Sequence, residues 1–456
     1  MGKAERIEQY IGLIESYLKD PEHSDIPISE IAKAMRAIAK EDEEAFHKYL
    51  EMIPNEYLGD IVLELPEKYL RDIVEEMDTE ELAEVIEELD SDDATDLIQD
   101  IEEIDKEKAK EILSSMDEED QEEIRKLKSY DEDEAGAHMQ TELFSASIDE
   151  TVQSSIERLK KLKEEGELEN VHQVYIVGTF GKLMFAIPLE DILTFDFNKT
   201  YKEIIKGREE DFKPIFVKDT DDIHEVAKLF REHDLTVIPV VNAQNELIGR
   251  ITSDDIYDIL QESATEQIYN LAGVDDEAEE EEDFWEAGKK RGTWLFINLL
   301  TAILASFVIQ MFDATIQSYV ALAVLMPIVA SMGGNAGTQT LTVTVRQLAL
   351  GDIDLSNAKE TIKKEVLLSL ANGFFFAVVL GIISYIWFGE VKLGFVIAAS
   401  MVINLFMAGF FGAMIPLVLK RLNIDPAVGS TVILTTVTDV VGFFSFLGLA
   451  SIFLID

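Results

Sequence analysis

Asp439 is the only charged residue from Ala427 to Ile455, a stretch long enough to cross a bilayer. An ionised carboxylate at that depth costs several kcal/mol unless a cation, water or a buried partner compensates it, which makes it a candidate functional site. An acid kept protonated or paired inside a helix bundle is the structural alternative. Thr435 lies four residues earlier and shares its helical face, with Thr436 and Thr438 alongside. Hydroxyls, carbonyls and a carboxylate are hard oxygen donors. That set suits Mg2+, which gives up its waters reluctantly. The chain has no cysteine, and its six histidines, at 23, 47, 138, 172, 224 and 233, lie outside the apolar stretches, which excludes a histidine or thiolate site for zinc or copper in the membrane. Two Asp439 side chains brought together by a dimer would repel or share a proton without a cation, so this residue bears on both ion and assembly.

A second polar group interrupts an apolar stretch at Pro327-Ile328-Val329-Ala330-Ser331-Met332-Gly333-Gly334-Asn335-Ala336-Gly337-Thr338-Gln339-Thr340. Irregular backbone is tolerated at membrane depth only where protein or a water-filled cavity satisfies it. Asn335 and Gln339 favour an ion pathway or a structured re-entrant turn here, and close helix packing is the other use of the glycines. Asn372 and Asn404 are isolated polar residues in later stretches and could simply join helices.

Five spans must position these groups: Trp294–Phe312, Tyr319–Val345, Val366–Phe388, Leu393–Leu419 and Val428–Ile455. Basic residues flank them unevenly. Lys289, Lys290 and Arg291 precede the first span, Arg346, Lys359, Lys363 and Lys364 occupy the second loop, and Lys420 and Arg421 the fourth; the first loop has none and the third only Lys392. This bias predicts a cytoplasmic N-terminus and an external C-terminus in the cell (plasma) membrane. No secretory signal is evident near Met1. An odd number of spans sits awkwardly with internal inverted symmetry, and a homodimer with the pathway near its two-fold axis is the natural alternative.

The remainder is strongly acidic. The whole chain has 90 acids and 39 bases; 9 acids and 7 bases fall from Thr293 onward, leaving 81 and 32, a net charge of -49, before it. Such a charge excludes a general nucleic-acid binder and predicts cationic partners. Up to about residue 137 the pattern is a helical solenoid in which Asp78, Asp90, Asp105 and Asp117 recur as N-cap candidates, Asp78 with Glu81 at the reciprocal position. Two α/β units follow, at 138–200 and 201–262. The order Val174-Tyr175-Ile176-Val177, Gly181, Ile187, Asp191 returns 64 residues later as Ile238-Pro239-Val240-Val241, Asn245, Ile251, Asp255. A connecting helix and linker occupy 263–292, and the pore region 293–456. Nine of the twelve residues from Asp275 to Glu286 are acids, a solvated tether. The helical pattern from Asp254 to Leu271 carries Asp254, Asp255, Asp258, Glu262 and Glu266, and the spacing puts Asp254, Asp258 and Glu262 on one face. Like charges so placed destabilise a helix unless cations offset them, the property of an ion-responsive gate.

Residues 327–346 and the run Pro426 through Thr435-Thr436-Val437-Thr438-Asp439-Val440-Val441-Gly442 closely resemble the MgtE family of magnesium channels and transporters, related to eukaryotic solute carriers. The order of helical N-domain, tandem CBS domain pair, connecting helix and five-helix transmembrane domain resembles that family over essentially the whole chain, a multidomain α and α/β fold. The resemblance implies a homodimeric Mg2+ channel closed by Mg2+ on its cytosolic domains. Asp439 matches the family's pore aspartate, Thr435 a small or polar position one turn before it, and Asn335 falls in the polar break. Asp254, Asp255, Asp258, Glu262 and Glu266 fall in the family's sensor segment, with Asp92, Asp93 and Asp96 as further sensor candidates. Gln267 departs from the family, which more usually has an acid there. CBS modules can also take ATP or another adenine nucleotide. Gly249-Arg250-Ile251-Thr252-Ser253-Asp254-Asp255 resembles the ribose-contacting pattern through Thr252 and Asp255, whereas the first module has Pro188 in place of the threonine. No Walker motif or catalytic constellation is present, which argues against an enzyme. Two other readings remain: an Na+- or H+-coupled carrier or less selective Mn2+/Co2+ transporter, and a receptor or scaffold without transport.

Overall fold

A computed structural model describes the chain except residues 1–2, 22, 167, 169, 275–283, 351–352, 354–356, 423 and 456. The acidic tether at 275–286 therefore falls mostly outside the described residues. The chain divides into two units, Met1–Gln261 and Glu262–Asp456.

In the first unit, short helices α1 to α9 occupy Lys3–Tyr17, Ile28–Ala39, Glu43–Leu50, Asn55–Leu63, Glu67–Glu76, Thr79–Glu87, Ser91–Ile104, Lys106–Ser115 and Glu118–Leu127. Each is too short to be stable alone, so the layer is held by one shared core that includes Ile31, Met35, Phe46, Ile73, Ile86, Ile98 and Ile112. The capping aspartates divide into two pairs. Asp78 accepts from the backbone N–H of Glu81, and Asp105 from those of Glu107 and Lys108. Asp90 and Asp117 occupy N-cap positions with no capping bond from the side chain.

The α/β part contains β1 (Ser145–Ser147), α10 (Val152–Glu164), β2 (Gln173–Val177), β3 (Leu183–Pro188), α11 (Leu189–Ile192) and α12 (Tyr201–Ile205). It continues with β4 (Val217–Lys218), α13 (Ile223–His233), β5 (Val237–Val241), β6 (Leu247–Thr252) and α14 (Ser253–Ala272). The two sheets run β1-β2-β3 and β4-β5-β6, each a parallel pair followed by an antiparallel hairpin. The 64-residue repeat extends to the register. Gln173 pairs with Pro188 as Val237 pairs with Thr252, and both hairpins slip at the matching places, Ile176/Val177 and Val240/Val241. Gly181 and Asn245, also 64 apart, both take the left-handed conformation that the tight turn requires. Residues 134–140 pair with the second module rather than the first: Glu134 bridges Asp222, and Gln140 bridges Arg250.

The second unit contains α15 (Phe284–Met311), a short α16 (Asp313–Ser318), α17 (Ala321–Ala349), α18 (Ala358–Phe388), α19 (Val391–Arg421) and α20 (Ser430–Phe453). Five of these are long and apolar enough to cross a membrane, matching the five expected spans. Helix α19 lies at the centre, packed on α17, α18 and α20, while α15 lies on α20. Phe374, Phe375, Val378, Ile382 and Ile386 of α18 remain exposed, as a lipid-facing surface does.

The expected irregular break in the second span is not present. Helix α17 runs unbroken through Gly333-Gly334-Asn335-Ala336-Gly337, with Pro327 inside it. The glycines serve close packing instead. A Cβ on Gly333 would lie 2.2 Å from Nδ2 of Asn404, and one on Gly412 would lie 2.8 Å from the carbonyl oxygen of Gly337. Asn404 is fully buried and donates to the carbonyl of Val329 at 2.8 Å, so it does join helices. Gly412→Ala meets backbone that cannot move aside and is expected to cost about 1–3 kcal/mol, whereas Gly334→Ala meets nothing within 4 Å. Thermal unfolding in detergent checks this contrast; equal midpoints for the two variants would contradict it.

Candidate ion pathway and acidic sensor

Two sets of carboxylates are built by different means, one in the unit with the five apolar helices and one in the first unit. On α20, Asp439 is half-buried and has no hydrogen-bond or ion-pair partner among the described residues. The hydroxyls near it are already spent as donors. Thr435 donates to the carbonyls of Thr431 and Val432 at 2.9 and 3.1 Å, Thr436 to Val432 at 2.7 Å and Thr438 to Thr435 at 3.1 Å. A hydroxyl whose proton points into the helix presents oxygen lone pairs outward. Thr435 and Asp439, one turn apart, thus form an acceptor-only surface suited to a hydrated cation. On α17, which packs on α20, Ser331, Asn335 and Gln339 follow one exposed stripe, and Asn335 donates to Ser331 Oγ at 3.3 Å.

The first turn of α20 is tied to the end of α14. Asn270, 6% exposed, donates to Glu266 Oε1 at 3.3 Å and to Asp425 Oδ2 at 3.1 Å, while Thr431 donates to the carbonyl of Leu271 at 2.7 Å. Leu271 packs into a small apolar cluster with Leu341, Val345, Ala427 and Leu434. Sequence reasoning missed Asn270 and Asp425. Their separation of 155 residues leaves no local pattern to find.

In the first unit, the opening turns of α7 and α14 bring Asp92 and Asp93 close to Asp255. Burial holds the Asp92 carboxyl well above the usual range, and the charges of Asp255 and Asp93 add to the rise. Burial also pushes Asp93 up to about 7, with Asp255, Asp60, Asp90 and Asp96 contributing. Asp255 is raised by burial and by Asp254 and Asp90, against the hydrogen bonds from the Thr252 hydroxyl at 2.6 Å and its N–H at 3.2 Å. Two helix N-termini offset part of this repulsion. A cation would offset the rest. Ser91 fixes α7 here: its N–H and hydroxyl donate to Glu142 at 3.2 and 3.0 Å, and Thr141 N–H donates to its oxygen at 2.8 Å.

Asp96, Asp254, Asp258 and Glu262 are exposed, and the last three keep the helix spacing expected of one face of α14. The tightest three-carboxylate group among the described residues is elsewhere. Glu87, Asp117 and Asp120 have ligand atoms within 4.8 Å of one another, and Glu87 accepts from Asp117 N–H at 2.6 Å. Asp90 and Asp117, the two N-cap aspartates whose side chains make no capping bond, stand in these two acidic groups, and the sequence alone does not separate them from Asp78 and Asp105.

Comparison with known proteins follows the same divisions. Residues 326–449 match the divalent cation transporter family MgtE, 26–133 the MgtE intracellular N domain, and 210–262 the CBS domain. The chain is 32% identical over 333 residues to the magnesium transporter MgtE of Thermus thermophilus, covering 72% of each. It is 32% identical over 330 residues to that of Enterococcus faecalis, covering 72% of this chain and 71% of the relative. Among solved structures, the soluble part of a magnesium transporter aligns over 57% of this chain and 99% of its own, at 26% identity and TM-score 0.47. The cytosolic domain of the Mg2+ channel MgtE in complex with ATP aligns over 50% and 90%, at 26% identity and TM-score 0.45.

Proposed function

The chain belongs to the MgtE family of magnesium transporters, and from that premise we propose that it is a homodimeric, Mg2+-selective channel for uptake, closed by Mg2+ on its acidic cytosolic domains. The observation that carries the permeation half is Asp439: a carboxylate with no bonding partner among the described residues, midway along a helix long and apolar enough to cross a membrane, beside hydroxyls already turned to acceptors. Ser331, Asn335 and Gln339 on the exposed stripe of α17 support a second copy or a water-filled path against that face, since hydrocarbon satisfies none of them. The flanking bases support a cytoplasmic N-terminus and an external C-terminus in the cell membrane. Passive Mg2+ flux into proteoliposomes in the absence of Na+ and H+ gradients tests this reading. Flux that required either gradient would favour a coupled carrier.

Gating rests on the acids of α7 and α14. Mg2+ between Asp92, Asp93 and Asp255 would hold the solenoid to the start of α14, with Asp254 and Asp258 as outer ligands and Asp96 at the edge; Glu262 and Glu266, in the second unit, are separate sensor candidates. The Asn270 latch then connects the end of α14 to the pore helix. Glu266 and Asp425 share the amide of Asn270, which supplies without a metal part of what an acid at position 267 would do with one. Hydrogen bonds to charged groups contribute about 1.5–3 kcal/mol, so Asn270→Leu is expected to raise the Mg2+ concentration for half-closure by roughly tenfold or more. Flux titrated against cytosolic-side Mg2+ reads this, and an unchanged midpoint would remove the latch from the gate.

An adenine nucleotide at the second module is a subsidiary proposal, supported by Thr252 and Asp255 standing together at the end of β6. Asp255 serves both proposals, which makes nucleotide and Mg2+ thermodynamically linked there.

A further inference from the structure

Glu365 is a carboxylate that neither the ion pathway nor the sensor uses. It lies early in α18, one of the five helices long and apolar enough to cross a membrane, and it is 5% exposed. With Ser369, Gly373 and Ala377 it forms the buried stripe of α18, the helix that packs on α19. Among the described residues nothing bonds to its side chain. An unpaired buried charge is strongly destabilising, so an acid so placed needs a positive charge to offset it. No base of the surrounding helices supplies one. Their charged residues are Arg346 on α17, Lys392, Lys420 and Arg421 on α19, and Lys359, Glu360, Lys363 and Lys364 on α18 itself, and all of these are exposed.

Packing fixes the level of Glu365 in the bundle. Leu348 of α17, Ile362 of α18 and Leu417 of α19 share one apolar cluster. One turn further into the same three helices lie Thr344, Glu365 and Ala413. Thr344 is fully buried, and its hydroxyl donates to the carbonyl of Thr340 at 2.9 Å, which leaves it only lone pairs to offer. Pro416 inside α19 has no N–H for the carbonyl of Gly412, so that oxygen loses its helix donor. Ser369 adds a hydroxyl one turn beyond Glu365, against Gly409. The seam thus gathers oxygen acceptors at the level of a carboxylate. It is also tight. A Cβ on Gly409 would lie 2.1 Å from Ser369 Oγ and 3.2 Å from the carbonyl oxygen of Glu365, and one on Gly412 would lie 3.0 Å from Thr340 Cβ. Mg2+ keeps several of its waters, which so close a packing does not admit, and a single carboxylate leaves its second charge uncompensated.

We propose that Glu365 binds one bare monovalent cation, Na+ or a proton, at the seam of α17, α18 and α19. The carboxylate supplies the charge, and Thr344 Oγ1, Ser369 Oγ and the Gly412 carbonyl are the neutral oxygens around it. Carbonyls freed where a helix is interrupted serve such ions in other membrane bundles. The bound cation makes the seam neutral and keeps it closed; without it the carboxylate draws water between α18 and α19. The inference stands on packing and charge and is independent of the transport reading, so its readout is not flux.

The test uses the full-length protein in detergent at pH 7, without Mg2+, in sodium chloride and in choline chloride of equal ionic strength. If Na+ is the occupant, the wild type unfolds at a higher temperature in sodium, and Glu365→Gln, which keeps the shape and removes the charge, abolishes that difference. If a proton is the occupant, the two proteins respond to sodium alike, and their infrared difference spectrum carries the carbonyl stretch of a neutral carboxyl. In either case Glu365→Gln unfolds no earlier than wild type in choline. Thr344→Val serves if Glu365→Gln does not fold: it should weaken the sodium effect several-fold, or shift the carboxyl band as the acid loses an acceptor. Equal responses to sodium together with the bands of an ionised carboxylate at Glu365 overturn the proposal, as does Glu365→Gln unfolding well before wild type in choline.

Discussion

Replacing Asp439 with alanine is expected to lower Mg2+ flux at least thirtyfold while leaving folding intact. A unit negative charge about 4.5 Å from a divalent ion, the distance of contact through one water, contributes on the order of 7 kcal/mol of gross attraction at an effective dielectric of 20. Desolvation and competing water remove most of that, but a net loss of about 2 kcal/mol is already close to thirtyfold. No other formal charge lies between Ala427 and Ile455 to take its place. Asp439→Asn keeps the shape and removes the charge, so it separates charge from packing. If both variants conduct Mg2+ as wild type does, Asp439 is a structural acid. Because no protein group in the described structure bonds to Asp439, loss of the side chain should leave the helix bundle as stable as before, which thermal unfolding checks.

The acidic junction between α7 and α14 gives the second large effect, a stability that falls as pH rises without Mg2+ and falls less with it. Asp93 titrates near 7 in the folded chain against an ordinary 3.8, so between those values the folded state holds more protons than the unfolded one. Without Mg2+, stability is therefore fully present below about pH 4 and is lost as pH rises through 7, a change of order 4 kcal/mol from Asp93 alone. Asp92 and Asp255 shift the same way and add to it. Mg2+ competes with those protons. Its stabilising effect should grow as pH rises from 6 to 8, reaching about 2.7 kcal/mol at a hundredfold excess over its dissociation constant. Replacing Asp92, Asp93 and Asp255 together by asparagine should stabilise the Mg2+-free protein at pH 8 and abolish most of the Mg2+ response. Denaturant titrations at pH 6 and 8, with and without Mg2+, read both. An unaltered Mg2+ response in the triple variant would clear these acids of a sensing role.

Much of this molecule was legible in the order of its residues because the determining contacts are local or periodic. Apolar length fixes the spans, and a 64-residue repeat carries the hairpin register down to the slip at Val240/Val241. Asp439 stands out in the sequence because an intramembrane acid has few ordinary explanations, and its role is the proposal that flux measurements test. The break expected at Gly333–Gly337 was not there, because a glycine run means close approach as readily as bending, and what decides is the partner: Asn404 and Leu434 fill the space. Distant pairs had no signature. Asn270 meets Asp425, Asp92 meets Asp255, and Arg250 meets the Asn170 carbonyl only after folding. The four N-cap aspartates are not separated by sequence alone. Asp78 and Asp105 follow the local rule, and Asp90 and Asp117 break it at the two places where tertiary structure gathers carboxylates.

The central claim is that one ion both permeates at Asp439 and closes the path from the cytosolic side. Its most direct test is Mg2+ flux through the reconstituted protein under a fixed inward gradient and potential, with Mg2+ at the cytosolic domains varied independently. Flux should be high at low cytosolic-side Mg2+ and fall steeply as it rises, with Asp439→Ala silent throughout and the Asp92/Asp93/Asp255 asparagine variant conducting without the fall. Flux that ignores cytosolic-side Mg2+ in the wild-type protein would contradict the account.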